Sequence, residues 1–174
     1  VSNRRWFPYI KGSEFRKWYG NLFSVVDWED GGIRIREHKS SVVRNANYYF
    51  RSGLAYNNIS MRFCARYVEN GHIFDQKNSM FFAESEDDAL FVLGFLHTKV
   101  VLPFLEILSP KDYNPGSLKV VPILKDRVPF FKVVSIVKSL VQLAKDDWNH
   151  LEISWDFEHL PLIGCTDNCT STSN

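Results

Sequence analysis

Ser85-Glu86-Asp87-Asp88-Ala89-Leu90-Phe91-Val92-Leu93-Gly94-Phe95-Leu96 is where the texture of this chain changes. Ser85 has the chemistry of a helix N-cap, because its hydroxyl can accept from a backbone N–H that the first turn leaves open. The three carboxylates behind it suit the positive end of a helix dipole. The apolar run then continues to Leu108, with Pro103 as the expected break or restart.

Upstream the sequence predicts short strands and loops. Val25-Val26-Asp27-Trp28 is a β-type run, and Gly31-Gly32 is a turn signal. Ile33-Arg34-Ile35-Arg36 alternates apolar and basic residues, which predicts a strand with Arg34 and Arg36 on its exposed face. Residues 37–47 form a polar loop. Tyr48-Tyr49-Phe50, Phe63 to Tyr67, His72-Ile73-Phe74 and Met80-Phe81-Phe82 are further strand candidates, and Asn70-Gly71 is a hairpin signal. Downstream, Ser109 to Gly116 is rich in turn formers and Val120-Val121-Pro122-Ile123 is a short extended piece. Phe131 to Lys145 carries Val134, Val137, Leu140, Val141 and Ala144 at helical spacing. Strands first and helices later is an α+β signature: a short-stranded mixed or antiparallel sheet in the N-terminal half, then helices. The expected organisation is residues 1–125 as one domain, 126–163 as a helical and aromatic segment packing on it or on a missing domain, and 164–174 as a disordered polar tail.

The chain has 174 residues, 45% hydrophobic and 15% aromatic, enough for a packed core. Its longest apolar runs are too short to span a bilayer, and no basic-then-apolar leader opens it, so a cytoplasmic, membrane-free protein is expected. Its start, Val1-Ser2-Asn3-Arg4-Arg5, is read as the cut edge of a longer chain. Cys64, Cys165 and Cys169 are an odd set without metal-ligand spacing, read as reduced thiols. The net charge of +1 hides an asymmetry: residues 1–80 sum to +6 and residues 81–174 to −5. Nine of the ten arginines lie between Arg4 and Arg66. Such a division suggests one face for a polyanion, a mixed solvated surface being the plain alternative.

Chemistry is conspicuous by what is missing. The Asn/Asp-Pro-Pro-Tyr/Phe motif of amino-methyltransferases is absent, as are a glycine-rich nucleotide turn and a Gly-x-Ser-x-Gly elbow. His38, His72, His97, His150 and His159 sit at no ligand spacing, so no metal is expected. Asp75-Gln76-Lys77 lacks the middle carboxylate of a nuclease site. The stretch is expected to hold no catalytic residues and no cofactor of its own.

Several stretches resemble the C-terminal half of BREX-type (phage-growth-limitation) adenine-specific DNA methyltransferases, and more distantly single-chain restriction-modification enzymes. They are Arg5 to Gly12 with Phe15-Arg16-Lys17-Trp18-Tyr19-Gly20-Asn21; Gly53 to Ser60 with Phe63, Arg66-Tyr67, Gly71 and Phe74-Asp75; Leu93 to Val100; Asn114 to Ile123; and Ala144 to Trp148 with Glu152, Ser154 to Phe157 and Pro161-Leu162. They run in order over residues 5 to 163. At Ala55-Tyr56-Asn57 the family usually carries Thr-Trp-Ser. The resemblance implies a target-recognition region that follows an upstream S-adenosylmethionine-binding catalytic domain, with double-stranded DNA, that domain and other defence-system subunits as partners. The alternative is a module that docks such subunits and touches DNA little.

An enzyme that extrudes its target base must also grip phosphates and read neighbouring bases. Lys11, Arg16, Lys17, Tyr19 and Asn21 interleave basic and aromatic groups in the first motif, the alternative being Trp18 and Tyr19 as core beside ordinary surface charges. Arg34, Arg36, Lys39 and Arg44 flank a polar loop, where readers usually sit. Asn57, with Asn45, Asn47 and Asn58, can read adenine edges or simply form turns. Arg62 and Arg66, four apart in a strand-like context, are expected on one side, as DNA contacts or as members of ion pairs. The aromatic and acidic Trp148 to Phe157 has no DNA logic and is assigned to packing.

Overall fold

The computed structural model describes residues 4–75, 77–123, 125 and 128–164. The expected tail therefore lies outside the described residues, save for its first position. The fold is α+β. Strands β1 (Trp6–Ile10), β2 (Ser24–Asp27) and β5 (Ile73–Phe74) form one sheet in the order β2-β1-β5, with β2 antiparallel and β5 parallel to β1. Strands β3 (Gly53–Asn57), β4 (Ala65–Val68) and β6 (Asn78–Phe81) form an antiparallel sheet in the order β4-β3-β6.

All five residues of β3 are buried, which marks it as the strand covered on both faces. Alternation then sorts its side chains. Leu54 and Tyr56, with Ala65 of β4, face the main core of Phe91, Leu93, Leu105 and Val137. Ala55 and Val68 face Ile10 of β1, with Leu22, Phe74 and Met80 around them. The second sheet is thus held between the first sheet and a helical layer.

That layer begins with α2 (Glu86–Leu96) at the position the sequence marks. The Ser85 side chain accepts from the Asp88 backbone N–H, and Ala89 to Leu93 are buried. The helix α5 (Phe130–Asn149) packs along α2, because at Gly94 a Cβ would stand 2.6 Å from Val137 Cγ2. α3 (Val101–Leu108) and α4 (Pro115–Lys119) complete the layer, and a short α6 (Pro161–Gly164) ends the described chain. No single described helix is long and apolar enough to cross a membrane; α2 and α3 form an apolar pair bent by 75°, and α2 is mostly core.

Several local expectations change. Residues 33–36 are not a strand: Ile33–Glu37 forms α1, whose first turn closes by N–H donation from Ile35 and Arg36 to the Gly32 carbonyl. Four alternating residues also fit one helical turn, so the period is ambiguous at that length. Tyr48-Tyr49-Phe50 is not a strand either; Ala46–Tyr48 is a 3-10 turn. Asn70-Gly71 does turn the chain, but β4 and β5 belong to different sheets and form no hairpin. The break in the long apolar run falls at residues 97–100, and Pro103 lies in the first turn of α3, where its missing N–H costs nothing. Val120 to Ile123 forms no strand. Arg62 precedes β4 and is exposed while Arg66 within it is buried, so they do not share a face.

Candidate nucleic-acid interface

The first motif turns out to be a latch inside the molecule. Residues 11–23 connect β1 to β2, and on the way Trp18 pairs with the free edge of β4: its N–H donates to the Ala65 carbonyl and its carbonyl accepts from Tyr67. Arg16 lies beneath this loop. Its Nε donates to the Tyr19 carbonyl at 3.0 Å, its Nη2 to Asp147 Oδ2 at 2.5 Å, and its guanidinium covers the Trp148 ring at 5.0 Å. Gly20 permits the approach with φ +108, since a Cβ there would meet Arg16 Nε at 2.5 Å and Trp148 at 2.9 Å. Tyr19 is buried, donates weakly to Glu69 and lies under Lys145, which pairs with Glu69 at 2.6 Å. Burial, then the Glu69 charge, pushes the Tyr19 hydroxyl well above its usual range. Asn21 donates to the Glu14 carbonyl, and Lys17 lies over Phe15. Asp147 and Trp148, at the C-terminal end of α5, therefore answer Arg16 of the first motif within the same chain.

Two further candidates are interior. Arg66 is 0% exposed and donates to Asn78 Oδ1 at 3.2 Å, and desolvation brings its guanidinium down to about 10. Asn57 is buried and donates to the Ser13 carbonyl. Together with Tyr19 they are not offered to an external partner in this conformation. Arg34 is exposed but committed to Asp27 at 3.2 Å and Glu29 at 3.3 Å. Against a desolvation that would raise it, the Glu29 backbone N–H, then Arg5 and Arg34, hold the Asp27 carboxyl below its usual range. Arg36 donates to the Gly31 carbonyl and lies on Trp28. Lys39 and Arg62 are exposed on loops.

The structure brings together a different set. An open cleft of about 1030 Å³ lies where the two sheets meet, walled by α1, the loop after it, β5, β6 and α4. Its wall is aromatic, with Tyr9, Tyr48, Tyr49, Phe74 and Phe82. Burial, then the Asp75 charge, pushes the Tyr9 hydroxyl up to about 12, so it stays a neutral donor. Lys11, Arg44, Lys77 and Lys119 line the same cleft, and none forms an ion pair among the described residues. The one carboxylate among the described lining residues, Asp75, accepts from the Lys77 and Asn78 backbone N–H groups. Lys11 and Arg44 were legible as candidates; Lys77 and Lys119 were not, because only the fold carries them beside the first two. Among the described residues no group of His, Cys, Asp or Glu could hold a metal ion, and Cys64 is a buried free thiol.

No family model matches the chain. It is 38% identical over 164 residues, 89% of its length, to the adenine-specific methyltransferase PglX of Lacticaseibacillus casei (strain Zhang). It is 31% identical over 165 residues, 92% of its length, to the adenine-specific methyltransferase BrxX of Escherichia coli O9:H4 (strain HS). The matched stretch is 14% and 13% of those relatives, so the chain spans about one seventh of the relatives' length and is homologous to a small part of each.

Proposed function

We propose that this chain is the DNA target-recognition region of an adenine-specific DNA methyltransferase of a phage-defence system, and that the duplex lies along the cleft between the sheets. The observation that carries the reading is the charge imbalance there: Lys11, Arg44, Lys77 and Lys119 against one carboxylate, Asp75, whose Oδ1 accepts from two backbone N–H groups. Unpaired cations on an aromatic wall suit phosphate gripping with stacking or wedging of bases. The homology to a small part of adenine-specific methyltransferases supports DNA as the partner in this reading, and S-adenosylmethionine chemistry would then belong to a part of the enzyme outside this stretch.

Fluorescence anisotropy with a mixed-sequence duplex tests it. Four phosphate contacts give a log–log salt slope near −3.6, so affinity falls about a hundredfold between about 50 and 200 mM salt. The Lys11→Ala, Arg44→Ala, Lys77→Ala triple variant flattens that slope to about −1. Absence of binding at low salt, or an unchanged slope in the variant, removes the proposal.

A second reading, docking of another protein, is favoured by one observation. Between α2, α3 and α5 lies an open groove of about 590 Å³ lined almost wholly by apolar side chains, with Val100 80% and Ile136 52% exposed. The two readings use different surfaces, lined by different residues, and predict opposite responses to salt.

A further inference from the structure

Among the described arginines, Arg4, Arg5, Arg16, Arg34, Arg36 and Arg66 each donate to an acceptor within the chain. Arg51 does not, yet it is held in place. Its guanidinium carbon lies 5.4 Å from the centroid of Tyr48 and 5.4 Å from that of Phe82. Those rings are 5.1 Å apart and both line the cleft. The backbone on either side is pinned to the turn at residues 70–72. Phe50 N–H donates to the His72 carbonyl at 2.8 Å, and the Phe50 carbonyl accepts from Gly71 at 3.0 Å. Ser52 N–H donates to Asn70 Oδ1 at 2.8 Å. Arg51 itself is exposed.

A side chain held this way has lost much of its freedom before any ligand arrives, and its planar donors are still unused. With the guanidinium carbon over the two rings and no acceptor among the described residues, its forked N–H groups are left for a pair of acceptors on a partner. Arg44 and Arg62 also lack an acceptor among the described residues, but neither has such a platform there.

We infer that Arg51 is a specificity-determining residue, whose guanidinium reads the N7 and O6 acceptors of a guanine in the duplex along the cleft. The inference rests on the DNA-recognition reading above. A bidentate guanine contact discriminates against other bases by about 5- to 100-fold at its position. A phosphate contact by the same side chain would add affinity to every sequence alike.

The test is selection of the wild-type chain, R51K and R51A from a pool of duplexes with a randomised central segment, read by sequencing, with the salt dependence of pool binding measured alongside. The expected result is that wild type enriches guanine at one position. R51K keeps its overall salt dependence, because it keeps the charge, but loses that preference by about 5- to 100-fold, because an ammonium has no planar fork. If R51A fails to fold, R51K decides. Retention of the wild-type preference by R51K overturns the inference. So does a uniform loss across all sequences in R51A, with the salt slope reduced by about 0.9 and preferences intact. Salt-sensitive binding without base preference in the wild type also overturns it while leaving DNA binding in place; no wild-type binding at about 50 mM salt removes the DNA-recognition reading and this inference together.

Discussion

Arg16 and Arg51 each lay a guanidinium on an aromatic ring, and they differ in everything that surrounds the ring. Arg16 covers Trp148 and is answered by the Asp147 carboxylate and the Tyr19 carbonyl, at the seam between the N-terminal loop and the C-terminal end of α5. Arg51 covers Tyr48 and Phe82 beside a cleft whose lining cations have no acid partner among the described residues. A cation beside aromatics is thus not by itself a mark of nucleic-acid contact. The decisive quantity is whether a carboxylate from elsewhere in the chain reaches it. Arg16 closes the fold, whereas Lys11, Arg44, Lys77 and Lys119 of the cleft have no carboxylate partner among the described residues.

The sharpest way to break this contrast is charge reversal on the two sides. Lys11→Glu with Arg44→Glu is expected to weaken duplex binding at about 100 mM salt by tenfold or more, because two phosphate contacts are lost and repulsion is added. The melting temperature is expected to stay within a few degrees, since neither side chain has an ion pair among the described residues. Equal loss of affinity from Arg16→Ala would erase the distinction.

Gly20→Ala attacks the latch instead. Its positive φ and the lack of room beside Arg16 and Trp148 predict a loss of about 1–3 kcal/mol in denaturant unfolding, with duplex affinity of the folded protein nearly unchanged. Wild-type stability in this variant would show that the loop does not need this backbone.

A third prediction follows from His97, which packs edge-on against Trp18 at 4.6 Å and whose Nε2 donates to the Ala65 carbonyl at 2.9 Å. Desolvation by burial lowers its imidazolium pKa to about 4. A folded pKa below the unfolded value of about 6.5 means that only the unfolded chain takes up a proton between the two values. The contribution is therefore complete above about pH 6.5 and is lost as pH falls toward 4, by about 1–3 kcal/mol. His97→Gln should flatten the stability profile in that window; a wild-type profile that is already flat there would show His97 to titrate normally.

The smallest effect belongs to the α1 arginines. Arg34→Ala removes an exposed pair with Asp27 and Glu29 and is expected to change stability by no more than about 0.5 kcal/mol. Its effect on DNA affinity should be smaller than that of Lys11→Ala. The reverse ranking would move the duplex from the cleft to the α1 face.

How far the sequence could be followed depended on how local the signal was. The boundary at Ser85 was legible because an N-cap and a dipole-matched first turn are chemistry within four residues. The amphipathic α5 was legible because its apolar spacing repeats over several turns. The segment at residues 33–36 failed for the opposite reason: four residues fit either period, and the closing hydrogen bonds to Gly32 decided for the helix. Site residues divided in the same way. Lys11 and Arg44 could be suspected from charge, whereas nothing local to Arg51, directly after the aromatic run Tyr48-Tyr49-Phe50, sets it apart from the other arginines.

Residue types alone set the α+β order, the start of the helical layer and the basic character of the N-terminal half. Each depends on residue type and short-range periodicity. Only the tertiary structure decided which basic residues are neutralised. The acids that answer Arg16 and Lys145 come from positions 131 and 76 residues away, and the cations that share the cleft come from four separate segments. Coulombic attraction depends on distance in space, and distance in space is set by how two small sheets and a helical layer pack.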